Sequence, residues 1–111
     1  MIKNNWNLNN YQRQAKETAI YPENAKIVYP ALGLAGEAGE VADKVKKTIR
    51  DGRNDAEYYH QIAKELGDVL WYCAVLADDL GYSLQQIAEM NVYKLQARKA
   101  MGTIGGDGDD R

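Results

Sequence analysis

The sequence predicts an all-α fold of four helices, on three observations. Apolar residues recur at helical spacing along most of the chain, and no alternating strand pattern persists. Both prolines, Pro22 and Pro30, precede the long periodic part. Helix start and stop signals then divide that part with short connectors between them.

The first helix is expected from about Asn10 to Ala19, with Tyr11, Ala15 and Thr18 or Ala19 on one side. A loop carrying Pro22 and Pro30 follows. The second helix is expected from about Ala31 to Arg50, stopping at Asp51-Gly52, where glycine suits a left-handed cap. The third starts at Asn54 or Asp55, both good N-caps, and ends at Gly81. The fourth opens with Ser83-Leu84-Gln85-Gln86, a capping-box pattern, and runs to about Ala100. Residues 1–101 then form one domain, and the Gly- and Asp-rich segment 102–111 is predicted to be a flexible tail.

Composition narrows the function classes. With 14 basic and 16 acidic residues, the chain has no basic excess to form a nucleic-acid face and no polybasic run for a membrane surface. No apolar run approaches the roughly 20 residues that span a bilayer. Met1-Ile2-Lys3-Asn4-Asn5 lacks the apolar core of a signal peptide. The lone Cys73 cannot form an internal disulfide and suits a reducing cytoplasm. The expectation is a cytoplasmic protein with no nucleic-acid or membrane partner.

The third helix is apolar nearly all round from Val69 to Ala77, which predicts burial on more than one side. So short a four-helix chain can hardly cover it alone. A homo-oligomer is therefore expected, with Trp71 and Val75 in a subunit contact; the alternative is that the first helix covers that face.

Two stretches read almost alike: Glu37-Ala38-Gly39-Glu40-Val41 and Glu65-Leu66-Gly67-Asp68-Val69. Each sets two carboxylates three residues apart, neighbours on one helix face. Taking Leu34 as zero and advancing about 100° per residue, Ala38, Val41, Val45 and Ile49 form a core stripe, and Glu37, Glu40 and Lys44 fall on one shoulder at about 300°, 240° and 280°. Taking Ile62 as zero, Leu66, Val69, Cys73, Leu76, Ala77 and Leu80 form the stripe, and Glu65, Asp68 and Tyr72 fall at the same three angles. In an antiparallel hairpin centred between Gly52 and Arg53, Glu37 lies level with Asp68, and Glu40 with Glu65. Gly39 and Gly67 then permit close helix approach or leave room for a ligand. The competing reading is ordinary surface charge, since Glu40 with Lys44 and Asp43 with Lys47 are good i,i+4 pairs. Matched shoulders at matched heights favour a divalent-metal site instead. All-oxygen ligands point to Mg²⁺, with Mn²⁺ as a substitute, and to phosphoanhydride hydrolysis.

A di-iron bundle needs two Glu-x-x-His units, and the chain has one, Glu57 with His60, which points away from the carboxylates. His60 reads instead as a partly exposed helix-start residue. On the fourth helix, with Leu84 at zero, Asn91, Lys94 and Arg98 fall at about 340°, 280° and 320°. Asn91 inside an apolar stripe needs a partner, and Lys94 is placed to meet phosphate oxygens or to snorkel at the core edge with Arg98. Lys44 and Lys47 either bind phosphate or offset carboxylate charge.

The run from Leu32 to Val41, followed by Glu65-Leu66-Gly67-Asp68-Val69-Leu70-Trp71-Tyr72, resembles the MazG-like all-α nucleoside triphosphate pyrophosphohydrolases. The resemblance covers nearly the whole chain, from Tyr11-Gln12 through Asn91 to Leu95. It implies a MazG-type four-helix bundle-like fold, a homodimer or homotetramer, and Mg²⁺-dependent cleavage of nucleoside triphosphates to a nucleoside monophosphate and pyrophosphate. It implies that Glu37, Glu40, Glu65 and Asp68 hold the metal, with Glu37 also as base, and that the nucleobase stacks on side chains such as Trp6, Tyr72 and Tyr11. One departure stands out: Gly36 occupies the place of the first of two adjacent glutamates. Gly36 gives weight to a second reading, a catalytically silent helical interaction module.

Overall fold

The computed structural model describes Ile2 and residues 4–110; Met1, Lys3 and Arg111, which belong to the expected N-terminal and tail segments, lie outside the described residues. Among the described residues there are four α-helices: α1 (Leu8–Glu17), α2 (Val28–Asp51), α3 (Ala56–Asp79) and α4 (Leu84–Met101), with a short 3₁₀ turn at Glu23–Ala25.

The caps explain the boundaries. The α1 helix starts earlier than expected because Asn7 is its N-cap: Asn7 Oδ1 accepts from the backbone N–H groups of Asn9 and Asn10, and Asn10 Oδ1 accepts in return from the Asn7 N–H. The start of α2 also precedes Ala31, with Pro30 inside its first turn. That position needs no N–H, because the first backbone donors of a helix have no intrahelical partner. Gly52 closes α2 at φ 65°, Asp55 caps α3 through the Tyr58 N–H, and Ser83 and Gln86 form the expected capping box on α4.

The third helix is the hub. Both α1 and α2 pack on it, and α4 packs on α3 and α1. The core under α1 consists of Ala15, Ala74, Val75 and Leu84, ringed by Leu8, Tyr11, Trp71 and Tyr72. This corrects the expected subunit contact of Val75. Val75 is 1% exposed within one chain, and Trp71 Nε1 donates to Thr18 Oγ1 on α1 at 2.8 Å. The first helix covers that face.

Gln12 ties these elements together. It is buried, and its Nε2 donates to the carbonyls of Ala74 and Tyr82 at 3.0 and 3.1 Å, while its Oε1 accepts from the Leu84 N–H at 3.0 Å. One amide therefore bridges α1 to the interior of α3 and to the first turn of α4.

The expected core stripes are only partly covered within one chain: Ala77 is buried, and Leu34, Val41, Ile62, Val69, Cys73 and Leu76 are half-buried. Ile49 is 80% exposed and Leu66 57%, and Val45 and Leu80 are exposed as well. The reason is the open arrangement: α2 lies along α3 without comparable contact to α1 or α4. The radius of gyration, 16.7 Å, exceeds the roughly 13 Å typical of a compact domain of this length.

The C-terminal segment folds back on α4. Asp109 Oδ1 accepts from Lys94 Nζ at 2.9 Å and from Arg98 Nη2 at 3.3 Å, and Arg98 Nη2 also donates to the carbonyls of Gly108 and Asp109. Arg98 is 5% exposed, so it does not snorkel at an edge.

Replacing Gln12 by Leu leaves the buried Leu84 N–H without an acceptor. The expected loss is about 1–3 kcal/mol, read as a lower denaturation midpoint. Gln12→Glu, which sets a carboxylate against two carbonyls, is expected to lose more at pH 7 than the Leu variant.

Candidate metal centre between α2 and α3

Helical repeats on two antiparallel helices build this site. On α2, Tyr29, Gly33 and Glu37 follow one another at i, i+4 and i+8 and share a face. On α3, Glu65, Asp68 and Tyr72 share the facing side in the same way. The helices meet closely at Gly33. A Cβ built there would lie 2.2 Å from Cε1 of Tyr72, so the Tyr72 ring rests on the bare backbone of α2. Gly39 and Gly67, the glycines the sequence pattern emphasised, have open space where a Cβ would stand. Close approach therefore occurs one turn before the carboxylates, at a glycine the helical-wheel argument passed over.

One turn beyond that contact, Glu37, Glu65 and Asp68 each present a carboxylate oxygen within 4.8 Å of the others. Two unit charges at that separation repel by roughly 1 kcal/mol in bulk water and roughly 3 kcal/mol at an effective dielectric near 20. Glu37 carries the consequence. Its pKa is raised, first by desolvation and then by the charges of Asp68, Glu65 and Glu40. Glu40 thus acts on the cluster electrostatically but stands outside the closest three, and Glu37 meets Glu65 as well as Asp68. Lys44 Nζ reaches Glu65 Oε1 at 3.8 Å and supplies a single local counter-charge. Lys47 is engaged by Asp43 at 2.8 Å.

Aromatic side chains border the acidic cluster. Burial raises the pKa of the Tyr72 phenol, helped by Tyr29, Glu37 and Asp68, and burial followed by the Asp68 charge raises that of Tyr11. Trp6 packs edge-on against Tyr11 with ring centroids 6.0 Å apart. Tyr11 and Tyr72 therefore lie near the carboxylates, with Trp6 against Tyr11. Asn91 and Lys94 do not join them within the chain. Both line a different groove with Ile87, Met90, Asp109 and Asp110, and Lys94 is paired to Asp109. His60 is exposed near the start of α3.

The donor set fits a hard divalent cation. Three carboxylates converge against one ammonium, and oxygen-only ligation suits Mg²⁺ or Mn²⁺.

Comparison with known proteins decides the family. The model of the MazG nucleotide pyrophosphohydrolase domain matches residues 30–102, a span that contains all of these carboxylates and all but the first two residues of α2. The chain belongs to this family. It is also similar to the Gene 37 protein of Mycobacterium phage L5, at 45% identity over 109 residues, covering 91% of this chain and 96% of that protein. No solved structure matches. The MazG span begins at Pro30 and so leaves out Tyr29, Tyr11 and Trp6. No helix among the described residues is long and apolar enough to cross a membrane.

Two outcomes are expected of this geometry. In metal-free buffer the raised Glu37 pKa makes a contribution to stability that is fully present below the unfolded-state value and is lost as pH rises through the folded one. The part of the thermal stability that depends on Glu37 should therefore fade as pH rises from about 4.3. Glu37→Gln should flatten that slope, raise the metal-free midpoint and abolish any upward shift produced by Mn²⁺, all read by differential scanning calorimetry. Gly33→Ala should displace the Tyr72 ring and cost about 1–3 kcal/mol, measured by chemical denaturation.

Proposed function

We propose that this MazG-family chain is a Mg²⁺-dependent nucleoside triphosphate pyrophosphohydrolase, releasing pyrophosphate and a nucleoside monophosphate and serving to clean or maintain a nucleotide pool. The observation that carries the reading is the convergence of Glu37, Glu65 and Asp68 across the α2–α3 hairpin, inside the span matched by the family model.

In this reading Glu37, Glu65 and Asp68, with Glu40 beside them, hold the cation, and Mn²⁺ can replace Mg²⁺. When bound, the ion neutralises phosphate oxygens and polarises the scissile phosphoanhydride. The chain's own residues do the rest. Glu37 orients the attacking water. Lys44, at the rim beside Glu65, meets the outer phosphates once substrate arrives. Lys47, one turn further on, adds positive charge to the same shoulder. The aromatic side chains of Trp6, Tyr11 and Tyr72 take the nucleobase face-on or edge-on.

A homodimer or homotetramer is part of the same reading. The apolar groove lined by Ala63, Leu66, Val69, Leu70 and Cys73 on α3 is a continuous surface that a second copy would cover. No nucleic-acid or membrane partner is invoked, and a cytoplasmic location is consistent with the free Cys73.

The test is release of pyrophosphate from a panel of canonical and modified nucleoside triphosphates, assayed with Mg²⁺ and with Mn²⁺. Glu37→Gln and Asp68→Asn should each lower kcat/KM by about a hundredfold or more while the far-ultraviolet helical signal is retained. Full activity in both variants would end the reading.

A further inference from the structure

Remote from the carboxylates, at the far end of α3, the chain adopts its only left-handed non-glycine conformation among the described residues. Ile27 has φ 69° and ψ −55°, and the Val28 N–H closes back on the Lys26 carbonyl at 2.7 Å. This is a γ-turn of the rare, strained kind, centred on a β-branched residue that resists such angles. Strain of this sort persists only where the surroundings fix it. Here Asp79 fixes it: its Oδ2 accepts from the Ile27 N–H at 2.9 Å and from the Tyr21 hydroxyl at 2.8 Å.

The turn has a direction. It launches α2 at Val28, so that Tyr29 is the second residue of the helix. Tyr21, held by Asp79, stacks on Tyr29 with ring centroids 4.9 Å apart and planes 18° from parallel. Tyr29 stands one turn before Gly33, the seat of Tyr72, and Gly33 stands one turn before Glu37. The same oxygen therefore sets both the starting point of α2 and the ring that braces its first turn.

We propose that Asp79 is a positioning residue for the nucleotide site: by clamping the Ile27 turn and Tyr21, it holds Tyr29 and Tyr72 as the wall against which the nucleoside part of the substrate rests. Asp79 lies eleven residues from Asp68, roughly 16 Å along the helix, and touches neither cation nor phosphate in this reading. The proposal rests on the pyrophosphohydrolase reading and adds to it a determinant of nucleoside binding that lies outside the family-matched carboxylate motif.

The experiment compares wild type, Asp79→Ala, Asp79→Asn and the double variant Asp79→Ala with Ile27→Gly, each as the full chain. The readouts are KM and kcat for the best nucleoside triphosphate, Mn²⁺ affinity by calorimetry, and amide exchange over residues 27–33. Asp79→Ala should raise KM about tenfold, with kcat and Mn²⁺ affinity within about threefold of wild type and exchange over 27–33 faster. Asp79→Asn keeps an acceptor oxygen and should restore KM to near the wild-type value. Glycine at position 27 removes the strain, so the double variant should recover part of the lost affinity. An unchanged KM in Asp79→Ala despite faster exchange would overturn the proposal, as would equal losses in KM, kcat and Mn²⁺ affinity, which mark a purely structural role. Failure of the underlying reading looks different: the wild-type protein itself then releases no pyrophosphate.

Discussion

The contact of the Tyr72 ring with the bare backbone at Gly33 is the constraint on which the rest of the hairpin depends. With a side chain at position 33, the two longest helices could not close at that level. Their closure fixes the register that brings Glu37 against Glu65 and Asp68 one turn later. Attraction between the helices is thus concentrated at an aromatic–glycine seat, and repulsion is concentrated beside it. The opposing effects lie within two helical turns, which makes the site sensitive to small shifts of either helix.

The remaining helices hold α3 still. Its other side is dry and tightly filled beneath α1, where Ala74 and Val75 are almost wholly buried. Gln12 meets the polar demand of that interface with three hydrogen bonds from one side chain, and buried amides are well tolerated only when satisfied to this degree. The buried core lies on the α1–α3–α4 side, and the acidic cluster sits on the α2–α3 side. Separation of this kind lets α2 carry a cluster of like charges that would be costly in the main core.

The parts of this arrangement that follow from period and capping were legible in the sequence. The acidic repeat is a pattern of spacing, and spacing on a helix is direction. Ser83-Leu84-Gln85-Gln86, Asp55 and Gly52 behave as local chemistry dictates. Other features depend on what lies opposite a residue, and no local pattern reports that. An apolar stripe ending in Val45 and Ile49 reads as core, but burial requires a neighbouring element, and within one chain none lies over it. Pro30 read as loop because proline usually ends helices, whereas in a first turn it costs nothing. Gly39 and Gly67 drew notice by lying inside the repeat, yet the glycine in tight contact is Gly33, whose partner is 39 residues away. Gln12 and Asp79 carry no motif at all; each matters through hydrogen bonds to distant backbone.

The clasp between Arg98 and the last residues alters how the chain's end should be regarded. A guanidinium this enclosed needs acceptors, and three of them come from Gly108 and Asp109, while its Nε has no partner among the described residues. Glycine and aspartate, the residues that make this segment look like a spacer, are what allow it to turn sharply and deliver those oxygens. Shortening the protein at the end of α4 would take away the three oxygens that Arg98 holds and open its guanidinium to solvent. The sequence stretch with the least apparent content thus serves as the seal on the fourth helix.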